Sequence, residues 1–207
     1  MWTSLFIKAY SIVAAARPDF RRSYMTFPWA RFYEHPKNIA NINIRRQVDG
    51  EDVVLQALIR SPENRKLSEL DGLLRHYMEA PVEELPCYRR ARRMSMLPWF
   101  VRRFVMWATL NIFGRRRCHN FGTFTMSSVS GEGAGILNLM IAGNSMLHYG
   151  LLDDQGQLDV RITFDHRVLD GAPAAEALAS LESVMLGQIL DEVRAIAKAQ
   201  PPVRLAA

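Results

Sequence analysis

Two different periodicities meet near the end of the chain, and together they constrain the fold more than any other feature. Apolar and polar residues alternate from Leu158 to Phe164, which is typical of a half-buried strand. From Leu178 to Ile196 the apolar residues recur at every third or fourth position, which predicts one face of a long helix. The segment between them must therefore be a turn that joins a strand to a helix.

This turn concentrates polar side chains, in the sequence DHRVLDG at 165–171. A side chain at such a junction is held by two packed elements, so it loses little further entropy when it meets a substrate. His166 is the candidate general base, because imidazole can accept a proton from a hydroxyl or a thiol at neutral pH. The alternative is that the stretch only connects the two elements. Asp165 is expected to be a local turn former.

Composition places the chain among ordinary globular proteins. It has 207 residues, 49% apolar and 23% charged, and no repeat divides it, so we predict a single domain over 1–200 and a tail at 201–207. The two cysteines have no metal-binding spacing and no secretory signal opens the chain. We therefore expect no metal, no bound cofactor and a cytoplasmic location. The histidines outside the turn are expected to be structural or surface residues: His35, His76, His119 and His148.

The net charge of +5 has its origin in one segment. Residues 86–131 contain nine arginines and no acidic residue, so the rest of the chain is net acidic. A helix is predicted over 97–113, with Phe100, Phe104 and Trp107 on one face. Arginines interleaved with aromatic residues are suited to nucleic acid, an anionic membrane surface or an acidic cofactor.

The remaining patterns favour a mixed sheet with helices mainly on one face. The predicted elements are a core helix within 1–16, an aromatic-rich loop at 17–36, a hairpin at 42–59, a helix at 67–80, and strands at 121–126 and 146–152. Asp49-Gly50 supplies the turn of the hairpin. The segment 1–16 is too short to span a bilayer and is interrupted by Lys8.

Four segments resemble, in the same order, the catalytic domain of the acyltransferase component of 2-oxoacid dehydrogenase complexes and its relative chloramphenicol acetyltransferase. DHRVLDGA is similar to the family's His-x-x-x-Asp-Gly motif, and FGTFTMSSVSGEG is similar to its Gly-Thr-Phe-Thr-x-Ser strand and loop. EDVVLQALIRSPENRKLSEL resembles its Val-Val-Pro-Val-Ile-Arg strand and the next helix, and LFIKAYSIVAAARPDF resembles its helix that ends before a proline. Together these segments are spread over residues 5–172.

The resemblance implies an α/β fold of the chloramphenicol acetyltransferase type, with a mixed β-sheet covered by helices. It also implies assembly as homotrimers whose active sites lie between subunits. Relative to the family, the chain is expected to be amino-terminally shortened, to lack a lipoyl domain, and to have a longer arginine-aromatic segment at 86–120.

The resemblance further implies roles for particular residues. Ser127 matches the family's serine and is the candidate donor to the oxyanion that forms when a thioester is attacked; otherwise it merely ends a strand. Asp170 matches the motif's aspartate, which organises the loop through an arginine, either Arg167 or one from the amino-terminal half. Thr125 and Gly171 are expected to support the site, Gly171 by permitting a tight backbone.

The expected function is that of a CoA-dependent acyltransferase. It would move an acyl group from CoA or another thioester, as co-substrate, to a hydroxyl or thiol of a small-molecule or lipid acceptor, with His166 as general base. The alternative is a non-catalytic trimeric scaffold or binding protein derived from the same fold, and nucleic-acid binding is the least expected function. For 86–120 two interpretations stay open, a lid or membrane-facing entrance for a hydrophobic acyl chain and a helix packed on the core with solvated arginines.

Overall fold

The computed structural model describes residues 2–127 and 142–199. The strands are β1 (Arg22–Met25), β2 (Arg31–Glu34), β3 (Ile39–Val48), β4 (Glu51–Arg60), β5 (Phe124–Ser127), β6 (Ser145–Leu152) and β7 (Leu158–Phe164). Five of them form a mixed sheet in the order β4-β3-β5-β6-β7, and β1 pairs with β2 separately. The pairs β3–β5 and β5–β6 are parallel, whereas β3–β4 and β6–β7 are antiparallel. The predicted α/β fold with a mixed sheet is thus confirmed.

The helices in this part of the chain lie before, between and after the strands. They are α1 (Trp2–Ala16), α2 (Leu67–Glu79), α3 (Pro86–Ser95), α4 (Trp99–Asn111), α5 (Gly114–Phe121), α6 (Gly171–Val184) and α7 (Leu190–Ala199). A π-helical turn at Met185–Ile189 joins α6 to α7, so the predicted long carboxy-terminal helix is confirmed with one irregularity. In α7, Glu192 pairs with Lys8 of α1 and accepts the backbone N–H of Leu67 at the start of α2.

Helices α1, α2 and α6 cover one face of the large sheet. In α1, Phe6, Tyr10 and Val13 recur three or four residues apart and are buried. Tyr10 is fully buried, and its hydroxyl donates to Ser145 Oγ at 2.8 Å. Its ring meets that of Phe124 edge-on, with centroids 4.9 Å apart. Burial raises the pKa of the Tyr10 phenol, so this group stays a neutral hydrogen-bond donor in the core.

The other face of the sheet carries hydrogen-bonding side chains. In register, Asn41 lies opposite Thr125, and one pleat further on Ser127 lies opposite His148, which lies opposite Arg161. Because alternate residues of a strand share a face, these side chains all lie on the side away from α1 and α6. The sheet therefore has one apolar face and one polar face.

The hairpin predicted around Asp49-Gly50 is present and longer than predicted. β3 and β4 pair from Ile39 with Arg60 up to the turn. Asp49 and Gly50 have φ values of 51° and 83°, as a two-residue hairpin turn requires.

The loop predicted at 17–36 is wrong, because the structure has the hairpin of β1 and β2 there. Each strand is only four residues long, and Tyr24 and Phe32 face each other as a partly exposed cross-strand pair. Such short strands give too few alternating positions to be recognised. Helices α3 and α5 were not predicted either, since arginines occupy four of the ten positions of α3 and three of the eight positions of α5 and hide the apolar period.

Helix α4 matches the helix predicted over 97–113, yet little of it is buried. Its buried residues are Ala108 and Thr109, whereas Trp99 is 69% exposed and Phe104 is 63% exposed. The interpretation that α4 packs on the core is therefore wrong for the protomer. In the described part of the chain, no helix combines the length and the hydropathy that crossing a bilayer requires.

Gly122, between α5 and β5, occupies a position where a side chain has no room. Its φ is 79°, and a Cβ there would lie 2.7 Å from the carbonyl oxygen of Ile39. We predict that Gly122→Ala lowers the free energy of unfolding by about 3 kcal/mol, because left-handed strain and this close contact add.

The matched control is Gly156→Ala, since Gly156 has a φ of 75° but a Cβ added there would meet nothing within 4 Å. This substitution tests the backbone strain alone and should lower the free energy of unfolding by about 1 kcal/mol. Urea denaturation measures both variants, and equal losses would contradict the role given to the Ile39 contact.

Candidate active site

His166 lies just beyond the end of β7, in the turn that leads to α6. Its ring centroid is 4.7 Å from that of Phe164, the last residue of the strand. Its side chain is 76% exposed, and its Nδ1 lies 4.0 Å from Oδ1 of Asp170, the residue that precedes α6. The imidazole is thus accessible to a ligand in the protomer.

Asp165 holds this turn together. Its backbone N–H donates to Asn144 O at 2.9 Å, and its carbonyl accepts the N–H groups of Val168 and Leu169. Its carboxylate accepts two hydrogen bonds from the Arg167 guanidinium, at 2.9 and 2.7 Å. The hydrogen bond from Arg167 is the main cause that lowers the pKa of Asp165. The prediction that Asp165 forms the turn is confirmed.

Arg117 of α5 fixes the surroundings of the turn. Its guanidinium is buried and donates to the carbonyl oxygens of Tyr24 and Ala142, at 2.7 and 2.9 Å. Arg167 lies over the ring of Tyr24, 4.9 Å from its centroid, and a cavity of about 340 Å³ lies between the two arginines. Sequence reasoning did not single out Arg117, because nothing in an arginine-rich segment shows which guanidinium is buried.

Two expectations about the motif are corrected. Arg167 pairs with Asp165 rather than with Asp170, since the turn places the guanidinium beside the nearer carboxylate. In the described part of the chain Asp170 forms no ion pair with an arginine, and its side chain is 88% exposed. Gly171 has no left-handed φ and nothing within 4 Å of the place of a Cβ, so the expected tight backbone is absent there.

Ser127 lies at the other end of the sheet from His166. It is the buried last residue of β5, and its carbonyl oxygen accepts a hydrogen bond from His148 Nδ1 at 3.2 Å. His148 pairs with Arg161, which precedes the end of β7 by three residues. Two strand spacings and three residue rises separate Ser127 from Phe164 by roughly 14 Å, and His166 lies further on. Within one protomer, Ser127 and His166 do not meet.

Ser127 belongs to a row of side chains that crosses the polar face. On one side of Ser127 lie His148 of β6 and then Arg161 of β7. On the other side lies Asn43 of β3, because the preceding residue Ile42 pairs with Met126 of β5. Asn43 in turn pairs with Gln56 of β4. Thr125 is buried on the same face, one pleat away. We call this row, from Gln56 to Arg161, the polar row. The predicted glycine-rich loop after Ser127 lies outside the described residues.

His35 and His119 are neighbours, which their sequence spacing did not indicate. Their ring centroids are 5.3 Å apart, where α5 packs beside the end of β2. Burial is the main cause that lowers the pKa of both imidazoles. No group of three or more metal-ligating side chains occurs within residues 2–127 and 142–199.

Asp165→Asn should lower the free energy of unfolding by about 1–2 kcal/mol at pH 7, because the charged bonds to Arg167 are lost. The pKa of Asp165 is lowered in the folded state. Its stabilisation is therefore complete above the unfolded-state pKa, about 3.9, and disappears as the pH falls through the lower folded-state value. The difference between variant and parent should thus be smaller at about pH 3 than at pH 7.

Asp159→Asn is the matched control, because Asp159 and Arg161 form an ion pair with the same two-residue spacing but both are exposed. It should change stability by less than about 0.5 kcal/mol. Chemical denaturation at both pH values measures the two variants, and a penalty for Asp165→Asn that is not smaller in acid would contradict the assignment.

The comparisons with known proteins agree with this architecture. No protein-family model and no curated protein matches the sequence. The truncated catalytic core of the 2-oxoacid dehydrogenase multienzyme complex from Thermoplasma acidophilum is similar in structure, with a TM-score of 0.58 and 15% identity over 90% of this chain and 74% of that one.

Two further solved structures give the same result. The dihydrolipoamide acetyltransferase of Azotobacter vinelandii has a TM-score of 0.57 and 16% identity over 92% of this chain and 71% of its own. A chloramphenicol acetyltransferase has a TM-score of 0.53 and 15% identity, over 89% and 78%. The chain therefore has the fold shared by the 2-oxoacid dehydrogenase acyltransferase cores and chloramphenicol acetyltransferase, as its motifs predict.

Proposed function

We propose that the protein is an acyltransferase that moves an acyl group from a CoA or other thioester to a hydroxyl or thiol acceptor. The observation that carries the proposal is the accessible imidazole of His166, on a turn fixed by Asp165 and Arg167, in a fold whose solved examples are acyltransferases. One solved example was studied for the catalytic roles of a serine, a histidine and an asparagine four residues after that histidine. The spacing of His166 and Asp170 is the same.

The chemistry requires a base and an oxyanion donor. His166 accepts the proton of the acceptor hydroxyl or thiol, whose oxygen or sulfur then bonds to the thioester carbonyl carbon. The negative charge moves to the carbonyl oxygen, where the hydroxyl of Ser127 donates a hydrogen bond. When the carbon–sulfur bond breaks, the imidazolium returns its proton to the leaving thiolate. This route needs neither a metal nor an acyl-enzyme.

The separation of the two side chains bears on the assembly. Because Ser127 and His166 lie at opposite ends of one sheet, a site that uses both must combine His166 of one copy with Ser127 of another. Each copy then contributes two different surfaces, and such a heterologous interface forms a ring when its rotation closes. We therefore propose a homotrimer with shared sites.

His166→Ala should lower turnover at least about 100-fold, and Ser127→Ala about 100-fold, since each removes one catalytic contribution. If sites are shared, a trimer that contains both variants has one intact site, where a chain that keeps His166 meets a chain that keeps Ser127. Co-expression of the two in equal amounts should restore about a quarter of the parent activity, the fraction of sites with both side chains.

Thiol release from acyl-CoA, followed with a colour reagent, measures this recovery. Mixing the two purified variants without subunit exchange is the control and should restore nothing. No recovery from co-expressed chains that form mixed trimers would contradict shared sites. If the parent shows no turnover with any donor and acceptor, the scaffold alternative replaces the enzyme.

The proposed acceptor includes lipids, and the surface around α4 supports this part of the proposal. Phe27, at the tip of the β1–β2 hairpin, lies 5.6 Å from Trp107 between ring centroids, and Trp29 and Phe104 beside them are exposed. Together these four side chains form what we call the aromatic surface. Residues 86–131 contain no acid and many arginines, so this surface is suited to anionic headgroups.

Phe104→Glu should reduce sedimentation with liposomes that contain anionic lipid at least about fivefold at low salt, because it places a charge within the aromatic surface. Leu186→Glu is the control, since Leu186 is 67% exposed on the distant π turn. Binding of the parent should weaken as salt rises. Equal effects of the two substitutions, or no binding by the parent at low salt, would contradict membrane contact.

A further inference from the structure

A cavity of about 370 Å³ lies between β4 and the helices α3, α4 and α5. Its wall is mostly apolar and includes Met94 of α3, Val105 and Met106 of α4, and Phe121 of α5. Among the lining residues in the described part of the chain, Arg90 is the one that carries a charge. A pocket of this kind favours an apolar ligand over a polar one.

The cavity opens on the same face of the sheet as Ser127. Gln56 of β4 lines the cavity and also forms one end of the polar row. Its partner on β3, Asn43, lies beside Ser127 of β5, because the residues before them, Ile42 and Met126, are paired. Two strand spacings, about 10 Å, therefore separate Ser127 from the edge of the cavity.

We propose that this cavity holds the far end of an unbranched acyl chain whose thioester carbonyl lies at Ser127. The inference rests on the proposed acyl transfer and adds the class of donor. Chains of roughly eight carbons or more can reach from Ser127 into the cavity across about 10 Å. An acetyl group cannot, so the cavity selects for long chains by burial of methylene groups.

Cys87 gives a readout of the cavity that needs no turnover. It lines the cavity, and the chain's other cysteine, Cys118, is fully buried. Burial raises the pKa of the Cys87 thiol, so alkylation is best followed at mildly alkaline pH. A maleimide that reacts with Cys87 therefore reports whether the cavity is open.

The first experiment measures alkylation of Cys87 by N-ethylmaleimide, with mass spectrometry, in the full chain carrying His166→Ala so that the donor stays intact. Decanoyl-CoA should slow alkylation at least about tenfold, whereas acetyl-CoA and CoA should not. Sodium decanoate has the acyl chain but no nucleotide, so it tests whether the acyl chain by itself slows alkylation of Cys87. Equal alkylation rates with decanoyl-CoA and acetyl-CoA would overturn the proposal, and so would protection by decanoate without protection by decanoyl-CoA.

The second experiment fills the cavity. In the parent, kcat/KM should rise about fourfold for each methylene added beyond roughly eight carbons, until the chain fills the cavity. Ala91→Trp, at a lining position of α3, should flatten this dependence on chain length. Ser95→Trp, exposed on the same helix and outside the cavity, should leave the dependence intact.

A failure of the cavity assignment can be told apart from a failure of the proposed function. A parent that turns over acyl-CoA with no dependence on chain length would overturn the cavity assignment and leave the proposed function standing. A parent without turnover on any donor would overturn the proposed function, and protection of Cys87 would then decide the cavity. If Ala91→Trp does not fold, protection in the His166→Ala chain decides it as well.

Discussion

The burial of Tyr10 connects the first helix, the sheet and the candidate site. Its hydroxyl has no access to water and must find a partner, which is Ser145 Oγ at the start of β6. The preceding residue, Asn144, accepts the backbone N–H of Asp165, which in turn holds Arg167. The position of the turn at 165–171 therefore depends on how α1 packs on the apolar face of the sheet. An apolar contact alone would not fix that position, because dispersion has no preferred direction.

The directions of the strands decide what a single protomer can do. β5 and β6 run in parallel, and β7 returns along β6, so the residue that ends β5 and the residue that follows β7 lie at opposite ends of the sheet. No rotamer or loop movement of ordinary size closes a gap of roughly 14 Å. The imidazole lies on the turn whose Arg167 contacts Tyr24 of the β1–β2 hairpin, whereas Ser127 lies beside His148 in the polar row.

Sequence patterns predict the parts of the fold that local chemistry determines. The strand Leu158–Phe164 alternates over its whole length, and Asp49-Gly50 demands a two-residue turn, so both were predicted correctly. The β1–β2 hairpin was missed because its strands are short and partly exposed. The burial of Arg117 and the contact of His35 with His119 were missed for a different reason, since both arise from the packing of α5 against distant segments. Strand order also lies beyond local patterns, so the motifs indicate Ser127 and His166 but not their separation.

The last helix contains a π turn at Met185–Ile189, and this has a consequence for the tolerated length of the chain. A π turn absorbs one extra residue while the helix on either side keeps its rotational phase. In α7 that phase directs Glu192 toward Lys8 and the amino-terminal end of α2. Loss of one residue within the turn would leave an ordinary helix with Glu192 still in place. The same loss elsewhere between Gly171 and Glu192 would rotate Glu192 by about 100° away from both partners. A deletion of one residue is therefore tolerated at this turn and excluded from the helix around it.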